Sequence, residues 1–84
     1  MSIDNYSVYV IQSQIDKRLY VGISANIPKR VKEHNNGLVF STKGYKLWKL
    51  VYKEYIGLRK DARAREKYLK SGIGKEFLKS IIPG

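Results

Sequence analysis

Tyr9, Tyr20, Arg30, His34 and Glu66 are the residues of this chain whose types and spacing could do chemistry. Arg30 and His34 are four apart, one helical turn, on a stripe whose other members are Ile27 and Val31. Two polar residues therefore stand where leucines would be expected. Glu66 is the single carboxylate on a stripe shared with Leu58, Ala62 and Leu69 and flanked by Arg65. A buried carboxylate is costly unless it meets a cation or a metal. Glu66 is thus either a metal ligand or half of a structural ion pair to Arg30 or Arg65. A lone histidine is more often a satisfied structural residue than a catalyst, but here it stacks on an arginine.

Two short strands must position the tyrosines. Tyr6–Ile11 and Leu19–Ser24 alternate. Val8 and Val10 face one way, with Ser7, Tyr9 and Ile11 opposite, and Leu19, Val21 and Ile23 oppose Tyr20 and Gly22. The aliphatic sides belong in the core, which leaves Tyr9, Tyr20 and Gly22 together on the other face of a hairpin. That arrangement requires paired residue numbers with an odd sum, and hence a four-residue loop or a bulge in the connection. A tyrosine-rich hairpin is, taken alone, more often a sheet surface than a site.

Further elements follow from caps and periodicity. Asn26 is a suitable N-cap, Pro28 fits the first turn, and Gly37 is a natural left-handed stop, predicting a helix from Asn26 to about His34 or Asn35. Leu38–Lys46 reads as a loop mixing basic and aromatic residues. Leu47–Tyr55 reads as a third strand, with Trp48, Leu50 and Tyr52 on one face and Val51 and Tyr55 on the other. A second helix is expected over Leu58–Ser71, closed by Gly72 and Gly74, and a short third one over Lys75–Ile82.

Composition narrows the function. Eighty-four residues make one domain, 1–84, with a modest core. The absence of cysteine excludes disulfides and thiolate metal sites. No apolar run or leader pattern points to a membrane, so a soluble cytoplasmic protein is the expectation. Seventeen Lys and Arg against seven Asp and Glu give a net charge of +10, more than solubility requires, and favour a polyanionic partner. The charge is uneven: ten basic and three acidic residues lie between Lys43 and Lys70.

The order of these features resembles the GIY-YIG nuclease superfamily, and within it the small single-domain branch similar to the catalytic N-terminal domain of the repair endonuclease UvrC. Ser7-Val8-Tyr9 stands where the family has Gly-Ile-Tyr, and Tyr20-Val21-Gly22 where it has Tyr-Ile-Gly. Gly22-Ile23-Ser24, Asn26, Arg30, His34-Asn35 and Gly37 look like the family's run through its arginine. Trp48–Tyr52 resembles the strand that follows. Ala62, Arg65-Glu66-Lys67 and Leu69-Lys70 match the helix carrying its glutamate. Ser7 departs from the first glycine, and Lys75–Gly84 contains no asparagine where many members have one.

The resemblance implies an α/β (α+β) fold, a three-stranded antiparallel sheet flanked by helices. It implies hydrolysis of DNA phosphodiesters with one divalent ion, Mg²⁺ or Mn²⁺, in repair, recombination or mobile-element processing. Glu66 would hold the metal, Arg30 would steady the scissile phosphate, and Tyr9 and Tyr20 would orient or deprotonate the attacking water with His34 assisting. Gly22 would let backbone approach the substrate, and Lys43, Lys46 and Arg65 would join Arg30 in binding it. DNA is the implied partner, with a protein partner for so small a chain, and no membrane. A nucleic-acid-binding adaptor of the same fold without useful catalysis is the competing expectation.

Overall fold

A computed structural model describes residues 4–45 and 47–82. Three strands, β1 (Tyr6–Ser13), β2 (Leu19–Ser24) and β3 (Trp48–Gly57), form one antiparallel sheet in the order β2-β1-β3. Helices α1 (Ile27–Asn35), α2 (Arg59–Leu69) and α3 (Gly72–Ile81) complete the described chain, with a 3₁₀ turn at Lys43–Tyr45. The expected α+β architecture is what the chain adopts. No described helix is long and apolar enough to cross a membrane.

The hairpin register follows from burial on both sheet faces. Tyr9 pairs with Gly22 and Ile11 with Tyr20, an odd sum throughout. Ser13 N donates to Arg18 O, so residues 14–17 form the anticipated four-residue loop, and Lys17 completes it with φ 68. A one-residue slip would turn every side chain over.

The two faces carry separate cores. Val8, Val10 and Val21 pack with Ala62, Leu69, Leu78 and Ile82 beneath α2 and α3. On the opposite face Tyr9, Ile11 and Trp48 are buried with Ile27, Val31 and Leu50. The tyrosine side is therefore no open sheet surface, because α1 and the segment after it cover it. Asn35 fixes that cover to the sheet, accepting from Trp48 N at 2.6 Å and donating to Trp48 O at 3.0 Å.

Strand β3 departs from simple alternation. Val10 pairs with Tyr52 but Ile11 with Leu50, which leaves Val51 as an extra residue. This bulge turns the strand over. Trp48 and Leu50 join the Tyr9 core, whereas Tyr52 and Val51 join the Val8 core. The expected common face of Trp48, Leu50 and Tyr52 is thereby corrected.

Helix α1 matches its sequence signals. Asn26 Oδ1 accepts from Lys29 N at 3.2 Å, and Gly37 follows with φ 75. The α2–α3 boundary does not match them. Gly72 and Gly74 open α3 instead of closing α2, and Ser71 is its N-cap, accepting from Gly74 N at 3.3 Å. A Cβ at Gly74 would meet the backbone of Tyr68 and lie 2.5 Å from Leu69 Cα. Gly74 is thus a contact glycine where one helix crosses the end of another.

Candidate active site

The hairpin, α1 and α2 enclose a cleft of about 370 Å³ beside β2. Tyr9, Tyr20 and Gly22 come from the sheet, Arg30 from α1, and Arg59, Arg63 and Glu66 from α2. Of the five residues whose chemistry the sequence singles out, four line this one space. His34 lies behind it.

His34 is fully buried and meets the cleft from behind, hydrogen-bonded to Tyr9 and edge-on to Tyr20. The Tyr9 hydroxyl and His34 Nε2 are 2.7 Å apart, and His34 Nδ1 is 2.8 Å from Thr42 Oγ1. The Thr42 hydroxyl gives its single hydrogen to Val39 O at 3.3 Å. Its oxygen therefore accepts from His34 Nδ1–H, which leaves Nε2 bare to accept from Tyr9. Burial, helped by the Arg30 charge, pushes the His34 pKa down to about 4, so the ring is neutral at pH 7. Burial pushes the Tyr9 phenol up to about 12, with the Arg30 guanidinium pulling the other way. Tyr20 completes the aromatic wall, its ring 6.4 Å from Tyr9 and 4.9 Å from His34.

Gly22 has a role the sequence reading missed. A Cβ there would stand 2.6 Å from the Tyr9 hydroxyl oxygen and 2.7 Å from the ring carbon that bears it. Because Gly22 is paired with Tyr9 across the hairpin, the missing side chain makes room for the phenol.

Glu66 is held neither by Arg30 nor by Arg65. Its carboxylate meets Lys70 at 3.1 Å and Arg63 at 3.7 Å, its own helix neighbours, both about half exposed. Arg30 binds Glu33 at 2.9 Å, which raises its pKa further. Arg65 makes a two-point contact with Glu54, at 2.7 and 3.2 Å, and holds that carboxyl below its ordinary range. Arg65 therefore turns to β3 and does not line the cleft. Lys43 stands 5.0 Å over the Phe40 ring and does not line the cleft either. Lys46 lies outside the described residues.

Arg59 and Arg63 are the functional candidates the sequence reading overlooked. With Glu66 and Lys70 they are spaced four, three and four apart, a single stripe along α2. That spacing was visible in the sequence, but not which flank of the Ala62–Leu69 stripe would face the hairpin.

Glu66 is the one carboxylate among the described residues that line the cleft. Among the described residues no group of three or more His, Cys, Asp or Glu side chains could hold an ion. Glu66 is therefore the cleft residue that could hold a divalent ion, with waters and phosphate oxygens completing the ion's shell.

Residues 5–77 match the model of the GIY-YIG catalytic domain. The chain belongs to the GIY-YIG family. This is a nuclease superfamily whose members generally use divalent metal ions. A UPF0213 protein of Clostridium perfringens is 42% identical over 78 residues, covering 92% of this chain and 82% of the relative. One from Syntrophus aciditrophicus is 37% identical, covering 92% and 88%, and one from Staphylococcus saprophyticus is 33% identical, covering 96% and 99%. No solved structure matches the chain.

Proposed function

We propose that this GIY-YIG protein is a metal-dependent endonuclease that hydrolyses DNA phosphodiester bonds. The observation that carries the reading is the convergence of Tyr9, Tyr20, Arg30 and Glu66, from four separate elements, in one cleft lined by two further arginines.

The residues divide the work by chemistry. Arg30, Arg59 and Arg63 bind the phosphates of the strand, and Arg30 complements the charge of the pentavalent transition state. Tyr9 takes the proton of the attacking water while passing its own to His34 Nε2, so no free tyrosinate has to accumulate at neutral pH. Tyr20 orients the same water. Glu66 would hold one Mg²⁺ or Mn²⁺, and the bound ion would supply charge stabilisation to the leaving oxygen. Lys70 and Arg63 keep the carboxylate compensated until then.

A second reading has one observation in its favour. Glu66 already has two cationic partners on its own helix, a pairing a non-catalytic DNA-binding adaptor could retain. Nicking of supercoiled plasmid and of oligonucleotide duplexes, forks and single strands, with and without Mg²⁺, separates the two. Cleavage that depends on the metal and on Glu66 supports the enzyme, whereas metal-independent binding without cleavage of any substrate supports the adaptor.

A further inference from the structure

A second, larger groove of about 610 Å³ lies on the other side of Tyr20, between β2 and helices α2 and α3. Its floor is aliphatic: Leu19 is part-exposed, and the core residues Val21, Leu69, Leu78 and Ile82 lie directly beneath. Its rim is wholly basic, formed by Lys17, Arg18, Lys70, Lys75 and Lys79, with no acidic residue lining it. Two of these cations are already engaged. Arg18 is paired with Asp16 and stacked on Tyr45, and Lys70 is on Glu66. Lys17, Lys75 and Lys79 make no ion pair among the described residues.

Strand β2 is an edge of the sheet, and its outer side makes no backbone hydrogen bond among the described residues. An edge with unpaired amides beside an apolar groove is the geometry that accepts an added strand. From these features we propose that the groove docks an acidic, apolar segment of a partner protein, laid along β2 with alternate aliphatic side chains on the floor and carboxylates at Lys17, Lys75 and Lys79.

The floor favours a peptide over a nucleotide. Nucleobases are held by aromatic stacking and by hydrogen bonds to their edges. Tyr20 is the one aromatic lining the groove, and its ring already contacts His34, Tyr9 and Trp48. Gln12, the one amide there, is committed to Lys17 O at 3.2 Å. A second copy of this chain is disfavoured by charge, because it would bring +10 to a basic rim.

The test uses a fluorescein-labelled peptide of about ten residues alternating Leu or Val with Glu, and a control with Ser at each apolar position. Anisotropy is read at about 0.15 M salt, where purely long-range attraction is screened. The alternating peptide should bind at least about tenfold tighter than the control, and Lys75→Glu/Lys79→Glu should remove about tenfold of that affinity. Both lysines are exposed, and a thermal melt of the variant confirms folding. DNA binding, measured on the same variant with a labelled oligonucleotide, should change by less than about threefold, a readout that does not depend on whether the cleft cuts DNA. Equal binding of peptide and control overturns the proposal. So does displacement of the peptide by unlabelled oligonucleotide together with a large loss of DNA affinity in the variant, which would make the groove a nucleic-acid surface.

Discussion

The Tyr9 hydroxyl donates to His34 Nε2 across 2.7 Å, so a residue with no exposed surface is wired to the wall of the cleft. The orientation is set from behind, by Thr42, and the space for the phenol is set from the front, by Gly22. The ring nitrogen that accepts this hydrogen bond belongs to an imidazole that is neutral at physiological pH.

This bond makes the two tyrosines unequal. Tyr9→Phe leaves His34 Nε2 buried without a donor and should cost about 1–3 kcal/mol of stability as well as cleavage. The Tyr20 hydroxyl has no hydrogen-bond partner among the described residues, so Tyr20→Phe should change stability by less than about 0.5 kcal/mol while still lowering cleavage. Urea unfolding alongside nicking checks both. Equal stability losses would mean that the Tyr9–His34 bond is not made in solution.

His34 also predicts a pH response of the fold. Its folded pKa of about 4 lies below the ordinary value of 6.5, so between these values the unfolded chain binds a proton that the folded chain does not. Stability should fall as pH drops from 6.5 towards 4, by up to roughly 3 kcal/mol from this group. Asp16 and Glu54, both held below their ordinary range, add losses at lower pH. Comparing wild type with His34→Asn isolates the histidine: the variant starts less stable, and its stability should be flatter over that window.

The parts of the site legible in the sequence were those governed by local periodicity. Alternation placed Tyr9, Tyr20 and Gly22 on one face with the correct register parity, and the helical repeat placed Arg30 with His34. The bulge at Val51 left no such trace, because one extra strand residue alters pairing without altering composition. The partners of Glu66 were missed for a related reason. A helix wheel gives Arg65 and Arg63 as opposite flanks of one stripe, and only tertiary packing decides that Arg65 meets Glu54 while Arg63 meets the cleft. Gly74 reads as a helix terminator in sequence, because close backbone contact between α2 and α3 is a long-range fact.

That division between flanks is itself testable by salt titration. Arg59→Gln/Arg63→Gln should reduce the slope of log K against log[salt] for duplex DNA by roughly 2, about 0.9 for each phosphate that is no longer neutralised. Arg65→Gln should leave the slope unchanged, and should instead destabilise the fold by about 1 kcal/mol because Glu54 and Tyr52 lose their guanidinium. A slope that responds to Arg65 and not to the pair would put the DNA on the β3 side of α2.

Glu66→Gln is the decisive substitution, and the geometry makes it cleaner than a buried ion pair would. Had Glu66 been locked to a buried arginine, removing its charge would cost about 3–5 kcal/mol, and inactivity would say nothing about catalysis. Its observed partners, Lys70 and Arg63, are about half exposed and can return to water when the carboxylate is neutralised. The stability loss should then stay below about 1 kcal/mol. Cleavage should fall by orders of magnitude, because the amide no longer holds a divalent ion among phosphates. DNA affinity without metal should hold or rise, since a repelling charge leaves a cleft lined by three arginines. Thermal unfolding, Mg²⁺-dependent nicking and anisotropy with DNA give the three readings on one variant. A folded variant that binds and does not cut supports Glu66 as the metal ligand, whereas a folded variant that cuts with unaltered Mg²⁺ dependence removes it from the mechanism.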